Sequence, residues 1–291
     1  MSREPHNYHE DVDLFREALS FTQSETGFSA RLVEKDYYCS LLLEDLLAVT
    51  SPPWAFKGGT CLSKVHSDFY RMSEDLDFGF SIPVDMSRSQ RSKMIVPMKV
   101  HLAKLERRLA CFKVVEAIRG FNNSTQYIGG LSYKSVLTGQ EESIKVEFSI
   151  REPILEPVEC LPARTLLVDP FRHAAVLSPV EVPVLSCRET YAEKLRAALT
   201  RREPAIRDFY DIDRGVRSGR FNTDDRRLID LVRNKLAVPG NDPIDVSDEK
   251  YETLTRQIRA QLRPVLREAD VAVFDLHRAF GIVATVAIAL Q

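Results

Sequence analysis

Two acidic residues, Asp75 and Asp77, are separated by a single apolar residue in a segment where polar and apolar residues alternate. This alternation predicts a strand with both carboxylates on one face and with Leu76 and Phe78 on the other. Two ionised carboxylates about 4 Å apart repel each other by roughly 4 kcal/mol at an effective dielectric constant near 20. A shared proton, a basic neighbour or a divalent cation such as Mg²⁺ relieves this repulsion.

A third acid, Glu147, lies in a second alternating segment, residues 143–150, where it shares the polar face with Lys145 and Ser149. If the two strands are neighbours, Glu147 joins the aspartates. Three carboxylates above a phosphate-binding loop suit two-metal phosphoryl or nucleotidyl transfer. The alternative is that the two aspartates simply lie on the solvent-exposed face of a half-buried strand.

A glycine-containing segment, Lys57-Gly58-Gly59-Thr60, lies between a short predicted strand and a helix with apolar residues one turn apart. Free backbone N–H groups and the helix dipole favour a phosphate at such a junction, and glycine allows it to approach closely. A pair of glycines also serves as a plain turn. The succession of this loop, a short helix and an acid-bearing strand is a rarer arrangement, and it favours the phosphate site.

A basic segment follows, with seven cationic side chains and one acid, Glu106. Such a segment suits the binding of nucleic-acid phosphates, although most charge runs are simply solvated helix faces. The candidate RNA-binding residues are Arg88, Arg91, Lys93, Lys99, Lys104, Arg107 and Arg108.

The composition is that of a globular protein, since 44% of the 291 residues are hydrophobic and 28% are charged. The net charge of −2 gives no global field that would attract a polyanion. Five scattered cysteines indicate neither a zinc knuckle nor a disulfide framework. The N-terminus does not resemble a signal peptide, and the longest apolar run, residues 281–290, is shorter than the roughly 20 residues that cross a bilayer. We therefore expect a cytoplasmic protein without a membrane partner.

The elements that must position these residues indicate an α+β fold with a helical C-terminal part. Residues 153–183 contain several prolines and show little periodicity. We expect the boundary between the two domains, residues 1–165 and 185–291, to lie in this segment. Helices are predicted at residues 11–27, 31–49 and 87–112, with an interruption at Pro97, and strands at 54–56, 76–80, 113–116, 126–134 and 143–150. Beyond Cys187 every segment is predicted to be helical, at residues 189–202, 205–217, 223–235, 247–267 and 271–290.

Several of these motifs together closely resemble the AbiEii/AbiGii toxin family, which includes the mycobacterial MenT toxins. The similar segments cover about residues 30 to 80 and 185 to 215. They are residues 34–37, 56–64, 71–78, 190–197 and 207–212. The resemblance implies a nucleotidyltransferase core of the DNA polymerase β type, followed by a helical domain that completes the active-site cleft.

The resemblance also implies roles for individual residues. Asp75 and Asp77 would hold the metal, Mg²⁺ or Mn²⁺, with Glu147 as third ligand or base. The nucleoside triphosphate would be bound by residues of the glycine segment and by two later residues: Lys57, Gly58, Gly59, Thr60, Ser73 and Lys194. Asp211 would complete the site, but the longer link between residues 201 and 207 leaves the choice between Asp208 and Asp211 open. From the residues alone, Lys194 is either at a core margin or directed into a cleft.

Applied to the whole chain, the resemblance predicts a metal-dependent toxin that transfers a nucleotide from a nucleoside triphosphate to RNA. The expected acceptor is the 3′ end of tRNA, which would block aminoacylation and growth, and a cognate antitoxin would be its protein partner. Two alternatives remain open, namely transfer to a protein or small-molecule hydroxyl, and a non-catalytic protein that binds a nucleotide or a partner.

Overall fold

The chain forms two compact units in the computed structural model, which describes residues 7–51 and 53–291. The first unit comprises Met1–Ile154 and Val158–Val184, and the second comprises Leu155–Pro157 and Leu185–Gln291. The first unit therefore extends past residue 165, where the sequence pattern placed the end of the first domain.

A seven-stranded mixed sheet organises the first unit, in the order β3-β4-β5-β2-β1-β9-β6. Strand β2 runs antiparallel to β1 and parallel to β5. A separate two-stranded sheet consists of β7 and β8. The strands are β1 Trp54–Lys57, β2 Leu76–Phe80, β3 Phe112–Phe121, β4 Gln126–Lys134, β5 Glu141–Ser149, β6 Glu159–Ala163, β7 Val168–Asp169, β8 Ala174–Ala175 and β9 Val180–Val184.

The helices of the first unit lie before and between these strands. They are α1 Val12–Thr26, α2 Ala30–Leu46, α3 Gly58–Cys61, α4 Arg88–Met94, α5 Val96–Leu102 and α6 Leu105–Arg108, and α3 continues as a π-helical turn, Leu62–His66. The segment predicted as one interrupted helix over residues 87–112 is thus three short helices. Pro97 lies in the first turn of α5, where the missing N–H costs no intrahelical bond.

One face of the large sheet is the core of the first unit. Phe78 of β2 stacks on Phe148 of β5 with ring centroids 5.3 Å apart, and both rings are buried. Tyr38 of α2 stacks on Tyr133 of β4 at 3.8 Å. Because side chains alternate along a strand, burial of these residues fixes the acidic residues on the opposite face.

The proline-dotted stretch contributes strands β6 to β9, which the sequence pattern did not predict. Strand β9 runs parallel to β1 and antiparallel to β6. These strands have two to five residues, too few for a clear period of two, and β6 and β9 each contain a proline. Pairing with β1 is what places residues 180–184 in the first unit.

The second unit is helical, as predicted, but two of its predicted helices are interrupted. Its helices are α7 Cys187–Thr200, α8 Ile206–Arg217, α9 Arg226–Leu236, α10 Asp248–Gln257, α11 Glu268–Val273 and α12 Leu276–Ala289. After α10 the chain forms a π-helical turn and then a 3₁₀ turn that contains Pro264. Asp275 begins α12 by accepting a hydrogen bond from the backbone N–H of Arg278. In the described part of the chain, no helix has the length and apolar character needed to cross a membrane.

Candidate active site

Asp77 and Glu147 are brought together by the register of two parallel strands. Asp77 of β2 is the direct partner of Glu147 of β5, so their side chains project from the same face of the sheet. Asp75 lies two residues before Asp77, immediately before the start of β2. We call the surface that carries Asp75, Asp77, Lys145 and Glu147 the acid face. The sequence-predicted grouping of the three acids is present in the fold.

The protonation of Asp77 reflects these surroundings. Burial, followed by the charges of Glu147 and Asp75, raises the pKa of Asp77 to about 6, against the opposing effect of Lys145 and Lys57. A carboxyl group shifted in this way has like charges close by and little water to screen them. Strongly perturbed acids of this kind are characteristic of functional sites, although structural networks also produce them.

Two residues that the sequence analysis did not assign to the site hold Glu147 in place. The ammonium Nζ of Lys145 lies 3.2 Å from Oε2 of Glu147 and 3.7 Å from Oδ2 of Asp75. The side-chain amide of Gln126 donates a hydrogen bond of 2.7 Å to Oε1 of Glu147. Lys145 was identifiable from its place on the polar face of β5, whereas Gln126 required knowledge of the register between β4 and β5.

Both glycines of the predicted phosphate loop lie where a side chain would not fit. Gly58 has a φ of +75°, and a Cβ added there would collide with the carboxylate of Asp77. A Cβ on Gly59 would lie 2.5 Å from Nη2 of Arg71 and 3.0 Å from Oγ of Ser73. The backbone therefore approaches an acid on one side and a buried guanidinium on the other, an arrangement that requires glycine.

Other residues predicted to bind the nucleotide have partners in the structure. The hydroxyl of buried Thr60 donates to the backbone carbonyl of Asp75, which joins the glycine segment to the start of β2. Lys57 is the cross-strand partner of Asp77 in the antiparallel β1–β2 pair. Ser73 adjoins Gly59 as described above. Lys57, Thr60 and Ser73 therefore all lie around the glycine segment or the acid pair.

Three successive charged residues of α2, residues 34–36, are buried and hold separate segments of the first unit. Lys35 forms an ion pair of 2.9 Å with Glu74, the residue before Asp75. Asp36 forms a buried ion pair of 2.6 Å with Lys64, in the helical turn that continues from the glycine segment. These two ion pairs connect α2 to the residue before Asp75 and to the helical turn after the glycine segment.

Further contacts of this helix segment are with Leu166 and with residues 135 and 136. The second carboxylate oxygen of Asp36 accepts a hydrogen bond of 2.9 Å from the backbone N–H of Leu166. Glu34 accepts hydrogen bonds of 2.7 Å each from the Ser135 hydroxyl and the Val136 backbone N–H, just after β4. We refer to Glu34, Lys35 and Asp36 as the α2 brace.

A second charged cluster lies within the helical unit. The Lys194 ammonium is 2.6 Å from Asp208 and 2.9 Å from Asp211, and Arg201 is 3.0 Å from the other oxygen of Asp208. Burial alone would raise the pKa of Asp208, but the positive charges of Lys194 and Arg201 outweigh it and the pKa is lowered. Both acids left open by the sequence contact Lys194, and Asp211 is fully buried.

The predicted RNA-binding segment does not act as one uniform cationic face. Arg91 is buried and donates to the backbone carbonyl of Asn123 at 3.0 Å. Arg108 forms an ion pair of 2.7 Å with Asp45, and the Lys99 ammonium lies 5.1 Å from the centroid of an aromatic ring. The other four cations are exposed, namely Arg88, Lys93, Lys104 and Arg107.

The donor chemistry of the acid face fits a divalent cation. Carboxylate oxygens are the hard ligands that such ions prefer, and Asp75, Asp77 and Glu147 supply several of them, with the ammonium groups of Lys145 and Lys57 as neighbouring cations. Among residues 7–51 and 53–291, however, no three His, Cys, Asp or Glu side chains are arranged as a ready metal site. A cation bound there would have to replace Lys145 at Asp75 and Glu147, and the predicted metal assignment therefore stays a prediction.

Comparison with known proteins finds a family model and two solved structures that are similar to most of the chain. Residues 41–279 match the family described as nucleotidyl transferase AbiEii toxin, type IV toxin–antitoxin system. Two crystal structures from Helicobacter pylori, JHP933 and a candidate nucleotidyltransferase, are each 15% identical to the chain with TM-scores of 0.51. Both cover 90% of this chain, which in turn covers 93% and 96% of theirs, and they share its fold. The comparison with curated proteins finds no match. The chain belongs to the AbiEii family of nucleotidyltransferase toxins.

Proposed function

We propose that this nucleotidyltransferase transfers a nucleoside monophosphate from a nucleoside triphosphate to the 3′ hydroxyl of an RNA, in a reaction that depends on a divalent cation. The observation that carries the proposal is the register that sets Asp77 opposite Glu147, beside Asp75 and against the backbone of Gly58. This arrangement joins paired carboxylates to the backbone of the glycine segment.

On the nucleotide side, we propose that the triphosphate binds at the backbone of Gly58 and Gly59, where Asp77 and Arg71 approach the glycines closely. Asp75 and Asp77 are the residues that would hold a cation, Mg²⁺ or Mn²⁺, which supplies positive charge to the phosphates when bound. We also propose Lys194 as a triphosphate ligand on the basis of the family resemblance. Asp208 and Asp211 hold its ammonium within the helical unit.

On the acceptor side, we propose that Glu147 takes the proton of the attacking hydroxyl. Gln126 and Lys145 each contact one of its oxygens and so fix the direction in which the carboxylate points. The acceptor oxygen then attacks the α-phosphorus, the bond to the β-phosphate oxygen breaks, and pyrophosphate leaves. General-base assistance of this kind contributes typically 10²- to 10⁴-fold to a rate.

The exposed cations near α4 to α6 support RNA as the acceptor. Arg88, Lys93, Lys104 and Arg107 are all exposed, on a chain whose net charge is −2. Such a local basic surface attracts phosphates at low ionic strength. We propose the 3′ end of tRNA as the biological acceptor, where added nucleotides block aminoacylation and growth, and a cognate antitoxin as the partner.

Label transfer tests this proposal. Purified protein is incubated with each α-labelled nucleoside triphosphate, Mg²⁺ or Mn²⁺, and total RNA, and the products are separated into RNA, protein and small molecules. We expect label in the tRNA fraction with wild-type protein and with Asp85→Asn, which removes an exposed acid. We expect none with Asp75→Ala. Label on protein or on a small molecule instead of RNA would overturn the proposed acceptor, and transfer by Asp75→Ala would overturn the assigned site.

A further inference from the structure

The acid face continues past Glu147 onto strands β4 and β3. Ile128 of β4 is the register partner of both Glu147 and Arg119, and Gln126 is the partner of Phe121. Because register partners project from the same side of a sheet, Arg119, Phe121, Gln126 and Glu147 share one face.

Phe121 is an aromatic residue exposed on this face. Its exposed fraction is 47%, and Arg119 is exposed two residues away. Strand spacing places Phe121 about 10 to 12 Å from Glu147, two strands away. Three steps of about 3.4 Å between successive stacked nucleotides span roughly that distance. Proteins bind unpaired nucleotides by stacking bases on exposed aromatic rings near cationic side chains.

A chain of hydrogen bonds links the turn after Phe121 to Glu147. The amide of Asn122 donates to Gln126 at 3.1 Å, and Gln126 donates to Glu147 at 2.7 Å. Asn122, Asn123 and Ser124 have φ values of +48°, +55° and +63°. Successive left-handed non-glycine residues are strained, and such strain concentrates at functional sites.

The basic helix α4 is attached to the same turn. Arg91 donates to the backbone carbonyl of Asn123 at 3.0 Å, and the hydroxyl of Ser92 lies 3.4 Å from that of Ser124. The neighbouring cations Arg88 and Lys93 are exposed. The Ser92 hydroxyl also lies 3.0 Å from that of Tyr127, which projects from the face opposite Gln126, so α4 supports the turn and does not extend the face of Phe121.

We propose that the unpaired nucleotides preceding the acceptor hydroxyl bind to this surface, with a base stacked on Phe121. The surface, which we call the acceptor platform, consists of Phe121, Gln126 and Arg119, with the Arg119 guanidinium contacting backbone phosphates. The inference rests on the proposed function and adds to it the residues that bind the unpaired nucleotides before the 3′ end. The route from Phe121 to Glu147 through Gln126 sets where the terminal hydroxyl lies.

Steady-state kinetics with two RNA hairpins tests the platform, one with a three-nucleotide 3′ overhang and one with a blunt end. Phe121→Ala is expected to raise the KM for the overhang RNA about tenfold or more, with the KM for the nucleoside triphosphate unchanged. Phe121→Trp keeps a stacking ring and should restore the wild-type KM. Phe171→Ala is the matched control, because Phe171 is 71% exposed next to the separate two-stranded sheet.

The outcomes separate the platform from the function on which it rests. If wild-type protein labels the overhang RNA and Phe121→Ala has an unchanged KM for it, the platform alone is overturned. If wild-type protein labels neither hairpin nor total RNA, the RNA acceptor is overturned and the platform with it. A preference of wild-type protein for the overhang that Phe121→Ala loses supports both.

Discussion

The ionised carboxylate of Asp77 lowers the stability of the folded protein. Its pKa is about 6, raised first by burial and then by Glu147 and Asp75. The ordinary value in an unfolded chain is near 3.9. The folded state therefore binds the extra proton between those two pH values, so folding stability falls as the pH rises through this window and stays reduced above it. A difference of this size corresponds to about 1 to 3 kcal/mol.

Replacing this acid should stabilise the protein and abolish its activity. Asp77→Asn is expected to raise the free energy of unfolding at pH 8 by about 1 to 3 kcal/mol, with no gain below pH 4, where wild-type Asp77 is already protonated. Chemical denaturation at both pH values measures the effect, and Asp85→Asn serves as the exposed control. Equal stability of Asp77→Asn and wild type at pH 8 would contradict the raised pKa.

Replacing Lys145 should make the stability of the protein depend on a divalent cation bound at the acid face. Lys145→Met removes the ammonium beside Asp75 and Glu147, so repulsion among the acids should lower the melting temperature at pH 8 more than at pH 5. Added Mg²⁺ should recover more of that loss than it adds to wild type. Thermal melts with and without Mg²⁺ measure this, and Lys104→Met is the exposed control. A melting temperature insensitive to Mg²⁺ in Lys145→Met would argue against a cation site at these acids.

The polar face on which each acid lies could be predicted from sequence, because it depends only on the alternation of side chains along a strand. That Glu147 joins the aspartates depends in addition on the pairing of β2 with β5, which the sequence analysis gave only as a condition. The contacts of Gln126 and the buried guanidinium of Arg71 could not be predicted, because both depend on which backbone segments become neighbours. The roles of the predicted site residues stay predictions until transfer is measured.

At the start of α3, Gly58 is required both by its positive φ and by the close approach of a carboxylate, and separate substitutions can distinguish these two constraints. Gly58 and Gly139 have nearly equal φ values of +75° and +72°, but only Gly58 has a carboxylate where a Cβ would go. Gly139→Ala is expected to cost about 1 kcal/mol from backbone strain alone, and Gly58→Ala more, with loss of activity. Denaturation curves and label transfer measure both variants. Full activity in Gly58→Ala would show that the close approach is not needed.

Helix α2 positions the site through the α2 brace, which should make its buried charges critical for stability. Asp36→Ala leaves the Lys64 ammonium buried without its carboxylate, and such a change typically costs about 3 to 5 kcal/mol. The double variant Asp36→Leu/Lys64→Met removes both charges and should recover much of that loss. Urea denaturation compares the three proteins. A double variant less stable than Asp36→Ala would show that the ion pair is not the source of the effect.

Individual elements were predictable where their patterns are clear. The strand at residues 126–134 has the predicted bounds, and the alternation from Asp75 to Phe80 corresponds to β2, Leu76–Phe80. The predicted helices at residues 247–267 and 271–290 are interrupted, since the turn containing Pro264 and the cap at Asp275 outweigh apolar spacing. Strands β7 and β8 were missed because they have two residues each, and β6 and β9 because each contains a proline.

The α+β class of the whole molecule followed from the order of its elements, with helices and strands first and helices after Cys187. The sheet order could not be predicted in the same way. Strand β5 pairs with β2 although β3 and β4 lie between them in sequence, and β9 returns to pair with β1. These long-range pairings set Asp77 opposite Glu147 and carry the first unit to Val184.

The most direct test of the central claim is transfer of α-labelled nucleotide to RNA by Glu147→Gln, which keeps the side-chain size and removes the charge. We expect wild-type protein and the neighbouring control Ser149→Ala to label RNA, and Glu147→Gln to be at least about 100-fold slower. Periodate oxidation of the RNA, which destroys the terminal 3′ hydroxyl, should abolish labelling by wild type. Labelling by Glu147→Gln at the wild-type rate would contradict the proposal that the acids joined by β2 and β5 perform the reaction.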